Sequence, residues 1–158
     1  MVKSTFNFNY QYKESNMAIL QGTAYWVSAT TPNTTFEPVY SVNLVVDDAV
    51  AEDFQSRGFS IKQMDEGPAI VIKRKVNGPN GMIRPAPRLV DAYKNLLDAR
   101  VGNGSEVKVQ YKEWESDWKG KTFKGLDFQA MQVINLIEVG SPDGAEFDSL
   151  DSEMEDEL

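Results

Sequence analysis

From residue 105 onward the chain alternates apolar and polar side chains over two long stretches. Val107, Val109 and Tyr111 fall on one side of the first, and Glu106, Lys108, Gln110 and Lys112 on the other. That is the period of a half-buried strand. The pattern resumes at Leu126, Phe128 and Ala130 and runs through Val133, Ile134, Leu136 and Ile137 to Val139. Gly102-Asn103-Gly104 marks a turn before it, so residues 104–139 predict a β-hairpin. Between the two stretches stand Trp114, Trp118, Lys119, Gly120, Lys121, Phe123 and Lys124. Aromatic faces stack on bases of any sequence and lysines track phosphates, so this tip has the composition of a single-strand nucleic-acid groove. The same residue types also suit packing on a core and a solvated turn, and the pattern alone leaves both readings open.

The remaining segments read as support for that hairpin. Phe6, Phe8, Tyr10 and Tyr12 alternate with Asn7, Asn9 and Gln11, which predicts an extended arm with one aromatic face: an edge strand, a stacking platform or a dimer contact. Residues 17–27 and 39–46 predict two antiparallel strands broken at Pro32-Asn33, with Tyr25, Trp26 and Tyr40 as their large aromatics. Asp47-Asp48 followed by Ala49, Val50, Ala51, Phe54 and Gly58 predicts a short helix. Its acidic start suits the unpaired N-terminal amides, and a glycine ends it. Residues 59–64 fit a short strand, and residues 68–76 a better one. There Lys73-Arg74-Lys75 places charge on both faces, so the strand is expected to emerge at the surface. Residues 77–87 form a Gly/Pro-rich loop carrying Arg84, with Arg88 just beyond. Leu89, Tyr93, Leu96, Leu97 and Val101 approximate helical spacing, yet the start of this segment also suits a strand ending in a turn at Lys94-Asn95. About five short strands, one helix and no α/β alternation predict an all-β fold, an oligonucleotide-binding (OB) barrel.

Composition narrows the chemistry. The chain has 158 residues, no cysteine and no histidine. Disulfides, thiolate sites, Ser-His or Cys-His pairs, the usual zinc sites and a neutral-pH imidazole base are therefore excluded. The acidic pair at 47–48 is better explained by the helix start than by metal or acid-base work, so no enzyme, metal or cofactor is expected. No run of about 18 apolar residues suggests a membrane span, and the start, Met1-Val2-Lys3-Ser4, does not resemble a secretory signal. A cytoplasmic location is the expectation.

The net charge of −8 is unevenly spread. Residues 141–158 hold 8 acidic and no basic side chains, which leaves 16 basic against 24 − 8 = 16 acidic in residues 1–140. Within residues 73–124 there are 12 Lys or Arg against 6 Asp or Glu. The chain thus divides into a folded unit, 1–140, and an acidic C-terminal tail, 141–158. With Phe147, Leu150, Met154 and Leu158 as its only sizeable apolar side chains, the tail is expected to be disordered in the free protein.

Gly104-Ser105-Glu106-Val107-Lys108-Val109-Gln110-Tyr111, then Trp118 seven residues on, then residues 130–139, resemble the final strands of the single-stranded DNA-binding proteins of podoviruses. Val39-Tyr40-Ser41-Val42-Asn43-Leu44 is similar to that family's second strand, and Leu89-Val90-Asp91 to a strand and turn before its glycine-rich bend. The latter favours strand over helix at Leu89. The resemblance spans residues 20–158 and rests on the order of elements together with the acidic tail. It implies an OB fold, sequence-independent binding and annealing of single-stranded DNA, a homodimer, and tail contacts with the phage DNA polymerase and primase-helicase. The setting would be replication, recombination and repair in the cytoplasm of an infected bacterial host. The chain departs from the pattern in ending on Leu158 instead of an aromatic residue, in its shorter length and in its aromatic N-terminal arm.

On this reading bases stack on some of Tyr25, Trp26, Tyr40, Tyr111, Trp114, Trp118 and Phe123. Lys73, Arg74, Lys75, Arg84, Arg88, Lys108, Lys112, Lys119, Lys121 and Lys124 neutralise phosphates. Asp148, Asp151, Glu153, Glu155, Asp156, Glu157 and Leu158 form the partner-binding part of the tail. An RNA-binding or RNA-chaperone barrel and a phage structural or assembly protein are the alternatives.

Overall fold

The computed structural model describes residues 11–139. In chain order it holds β1 (Gln11–Asn33), β2 (Val39–Val45), α1 (Asp48–Ser56), β3 (Lys62–Met64), β4 (Gly67–Lys75), β5 (Arg88–Val90), β6 (Ser105–Trp118) and β7 (Lys121–Asn135). Five of these strands close into a barrel in the order β1-β2-β4-β7-β6, with β6 returning to β1. All neighbours are antiparallel except β4 and β7, which meet in parallel at Lys73 and Asp127. This is the OB barrel, and its alternation is the one expected. Tyr40, Val42 and Leu44 of β2 lie in register with Arg74, Ile72 and Ile70 of β4, all of them buried. Val107, Val109 and Tyr111 from β6 and Phe128, Met131 and Val133 from β7 fill the other side of the core.

Helix α1 packs Ala51 and Phe54 against this core. Phe54 meets Tyr111 edge-on at a ring-centroid distance of 6.2 Å and Phe59 at 5.6 Å. Its C-terminus is a Schellman turn: the Phe59 amide donates to the Phe54 carbonyl and the Gly58 amide to that of Gln55, both at 3.0 Å. Gly58 supplies the left-handed residue (φ 99°) and the two phenyl rings the accompanying apolar contact. At the other end Asp47 occupies the cap position but makes no side-chain cap hydrogen bond. The acidic pair therefore acts on the helix dipole alone.

Two expectations need correction. Lys73 and Lys75 do emerge at the surface, but Arg74 between them is buried. Its guanidinium donates twice to Asp127, from Nη2 at 2.7 Å and Nε at 3.2 Å, and once to the Pro85 carbonyl at 3.0 Å. The segment at 59–64 is strand only over Lys62–Met64. Strand rather than helix is found at Leu89: β5 runs parallel to β7, and a turn over residues 91–95 follows, in which the Asp91 carboxylate accepts from the amides of Tyr93 and Asn95. The aromatic arm lies outside the described residues except for the backbone at its end, where Gln11 and Tyr12 pair with Glu115 and Trp114. The acidic tail also lies outside them.

The buried ion pair and the buried phenol yield two expectations. Arg74→Ala takes two donors from Asp127, which is only 2% exposed and is left with Arg84 and Gln129, and should cost about 3 kcal/mol of unfolding free energy, read by urea denaturation. Burial raises the pKa of Tyr111 above its ordinary value of 10.0. A phenol whose folded pKa is raised contributes stability that is complete below its unfolded pKa and is lost as pH climbs through the folded one. Tyr111→Phe should therefore flatten part of the stability loss above about pH 10, measured as urea midpoints along an alkaline pH series.

Candidate nucleic-acid interface

The strands of the terminal hairpin continue to the residues flanking its turn. Trp118 pairs with Lys121, Ser116 with Phe123, Trp114 with Gly125 and Lys112 with Asp127. The connection is two residues, Lys119 and Gly120, with φ of 52° and 79°. Positive φ at both positions is the tight turn whose twist matches that of paired strands.

Because opposed residues share a face, the register sorts the hairpin chemically. One face holds Lys112, Trp114, Ser116 and Trp118 from β6 with Lys121, Phe123, Gly125 and, where the hairpin joins the barrel, the buried Asp127 from β7. The other holds Tyr111, Glu113, Glu115 and Asp117 with Thr122, Lys124, Leu126 and Phe128, and its buried members mark it as the side continuous with the core. Three carboxylates thus lie away from the aromatic face. Trp114 is half-buried with its indole over Gly125, where any Cβ would overlap the ring. Beyond it Trp118 is 60% and Phe123 45% exposed, unusually open for such large apolar groups. The Lys119 ammonium sits 5.5 Å from the Trp118 ring centre, and Lys121 is exposed beside it.

The outer face of the barrel continues this surface. Since β4 and β7 run parallel and are level at Lys73 and Asp127, Phe123 lies four residues back along β7, roughly 13 Å at ~3.3 Å per residue. In the other direction β4 leads to Lys75, which is level with Val39 at the end of the β1–β2 connection. That connection presents Phe36, 89% exposed, and Glu37, whose carboxylate pairs with Lys75 at 3.7 Å. The rows Tyr25–Asn43–Val71 and Ser28–Ser41–Lys73 cross the outer face between the two aromatic ends. Such a strand face flanked by the first and last loops is where OB barrels take oligomers.

The candidate residues divide accordingly. Trp118, Phe123, Lys119, Lys121 and Lys73 are exposed along this surface, with Trp114, Lys112 and the half-buried Tyr25 among them. Trp26 is 65% exposed at a bulge in β1, held at a positive φ of 53° with its amide donating to Asn103 Oδ1 at 2.8 Å. Arg88 is exposed at the start of β5, and Lys108 is half-buried on the β1–β6–β7 wall, between Gln21 and Gln132.

Tyr40 and Tyr111 belong to the core and offer no face to a base. Arg74 is committed to Asp127, and Arg84 donates to the same carboxylate at 2.8 Å. The Lys124 ammonium turns to the core side and donates to the Arg57 carbonyl at 2.6 Å. Phe36 and Tyr93, both exposed aromatics in turns, lie outside the stacking set expected from the sequence. For Phe36 the sequence carries the signal: flanked by Thr34-Thr35 and Glu37-Pro38, it has no adjacent apolar residue with which to enter a core.

No family model and no curated protein matches the chain in sequence. Solved structures do match in fold. The single-stranded DNA-binding protein gp2.5 encoded by bacteriophage T7 is 15% identical, with a TM-score of 0.57 over 90% of this chain and 95% of its own. The single-stranded DNA-binding protein of bacteriophage Enc34 is 13% identical, with a TM-score of 0.57 over 93% of this chain and 98% of its own. Its structure in complex with single-stranded DNA gives 12% and 0.54 over 90% of this chain and 98% of its own. The chain is similar in fold to single-stranded DNA-binding proteins of bacteriophages.

Proposed function

We propose that the protein is a non-enzymatic single-stranded DNA-binding protein of phage replication, recombination and repair, protecting and annealing single strands without sequence preference. The observation that supports this reading best is the sorted hairpin: Trp114, Trp118 and Phe123 share one face with Lys112 and Lys121, while Glu113, Glu115 and Asp117 occupy the other. Stacking on exposed rings beside lysines gives affinity for any single strand. The fold shared with phage proteins that bind single-stranded DNA supports the same conclusion. A homodimer, the cytoplasm of the infected host as its location, and recruitment of the DNA polymerase and primase-helicase by residues 141–158 complete the proposal.

Filter binding with single-stranded DNA, duplex DNA and RNA of equal length should rank single-stranded DNA first. A preference for RNA would favour the RNA-chaperone alternative instead. Oligo-dT should quench tryptophan fluorescence, and Trp118→Ala or Phe123→Ala should each cost about 1–3 kcal/mol of binding. Affinity should fall with salt at a log-log slope of about −0.7 per phosphate neutralised, and Lys119→Ala with Lys121→Ala should make it shallower by ~1.4. Unchanged affinity in folded Trp118 and Phe123 variants would return those rings to idle surface.

The tail carries a charge of −8, tethered to a body whose residues 73–124 carry 12 − 6 = +6. Held at high effective concentration, it competes with phosphates. Truncation after residue 140 should tighten single-strand binding at low salt, lose that gain as salt screens the competition, and abolish polymerase binding in a pull-down. No tightening at low salt would refute the competition.

A further inference from the structure

The contacts that fasten the core side of the hairpin converge on the end of one helix. Glu113 on β6 accepts from Arg57 Nη1 at 2.8 Å, and Lys124 on β7 donates to the Arg57 carbonyl at 2.6 Å. The Arg57 guanidinium lies 4.6 Å from the Phe54 ring centre and 5.4 Å from that of Phe59, and Asp53 receives its Nε at 3.3 Å. The Lys124 ammonium lies 5.1 Å from the Phe59 ring centre. Its stem runs over Gly58, where a Cβ would stand 3.2 Å from the lysine Cδ. The residue that caps α1 therefore holds both strands of the hairpin, its side chain engaging β6 and its carbonyl β7. The Glu113 hydrogen bond is the chief cause raising the Arg57 pKa, so the guanidinium stays charged throughout the working pH range.

We propose that Arg57, Glu113 and Lys124 are positioning residues for single-strand binding: they set the angle at which the hairpin presents Trp118 and Phe123, and Lys124 is not a phosphate ligand. The inference rests on the single-strand reading above. Isolated surface ion pairs contribute little, but this guanidinium is laid on two aromatic rings and joined to a helix cap, so cation–π contacts and charge-assisted hydrogen bonds act together. Past the barrel, β1 pairs with the edge of β6 through Gln11 and Tyr12, and among the described residues the fastening at Arg57 engages the hairpin from its core side. Loosening it spreads the aromatic face over many orientations, each of which must be ordered again when DNA binds.

The full chain is used for the test, with two readouts: amide hydrogen exchange across residues 113–124 without DNA, and oligo-dT affinity along a salt series. Lys124→Met should quicken exchange in the hairpin and weaken binding roughly threefold to tenfold, the loss of one exposed hydrogen bond, while leaving the salt slope unchanged. Lys121→Ala should instead make the slope shallower by ~0.7. Arg57→Glu and Glu113→Arg should each weaken binding, and their combination should recover at least part of the loss by restoring the pair in reverse. A slope shallower by ~0.7 in Lys124→Met would make Lys124 a phosphate contact and overturn the proposal. So would unchanged hairpin exchange in Lys124→Met, or a reversed pair that recovers nothing. If the parent protein failed to bind single-stranded DNA, the functional reading would fall while the exchange measurement still judged the fastening.

Discussion

The barrel is closed by a carboxylate. β4 and β7 share one backbone register position, Lys73 with Asp127, and the seam is held in addition by what surrounds the Asp127 side chain. Arg74 reaches it with two donors, Arg84 with one and Gln129 with another. An ionised carboxylate buried to this degree is tolerable only when its lone pairs are filled by such donors. The arrangement also explains how the loop over residues 77–87 is anchored. Arg84 ties it to the seam, and the Arg84 amide donates to the Val76 carbonyl at 2.8 Å. Everything on the outer face between Phe36 and the hairpin depends on β4 and β7 staying level.

The hairpin is the second consequence of that closure. Its inner residues, Tyr111, Leu126 and Phe128, are core, and register carries the same alternation outward past the barrel. Once the inner face is fixed by burial, Trp114, Trp118 and Phe123 have only the outer face available. The aromatic surface therefore follows from the core of the barrel and needs no separate device to form it. The fastening at Arg57 sets its direction.

Much of this could be read from the chain. Strand alternation in β2, β4 and β6 and the glycine after α1 act locally and were found where expected, whereas β7 ends at Asn135 instead of Val139 and β1 runs on through Pro32 and Asn33. Arg74 shows where local reading stops: three consecutive basic residues look like surface, and only a carboxylate 53 positions away, brought alongside by closure, lets the middle one be buried. Tyr40 and Tyr111 failed as stacking candidates for a related reason, since an aromatic on an alternating strand belongs to whichever face the register assigns. The alternation of Glu113, Glu115 and Asp117 with Lys112, Trp114 and Trp118 was present in the sequence. Because the two strands continue through residues 114–124, the sorting becomes visible only when their register pairs them.

Trp114 and Gly125 face each other across the hairpin, the indole filling the space that a Cβ would need. The two positions are consequently locked as a pair in sequence space. A side chain at 125 evicts the indole, and loss of the indole leaves a bare glycine in the middle of an exposed ladder, where backbone freedom costs most. Neither single step is neutral, so the pair can drift only by a compensated double change. Among chains descended from a common ancestor, positions 114 and 125 should vary together or not at all, even where the rest of the hairpin has lost any likeness in sequence.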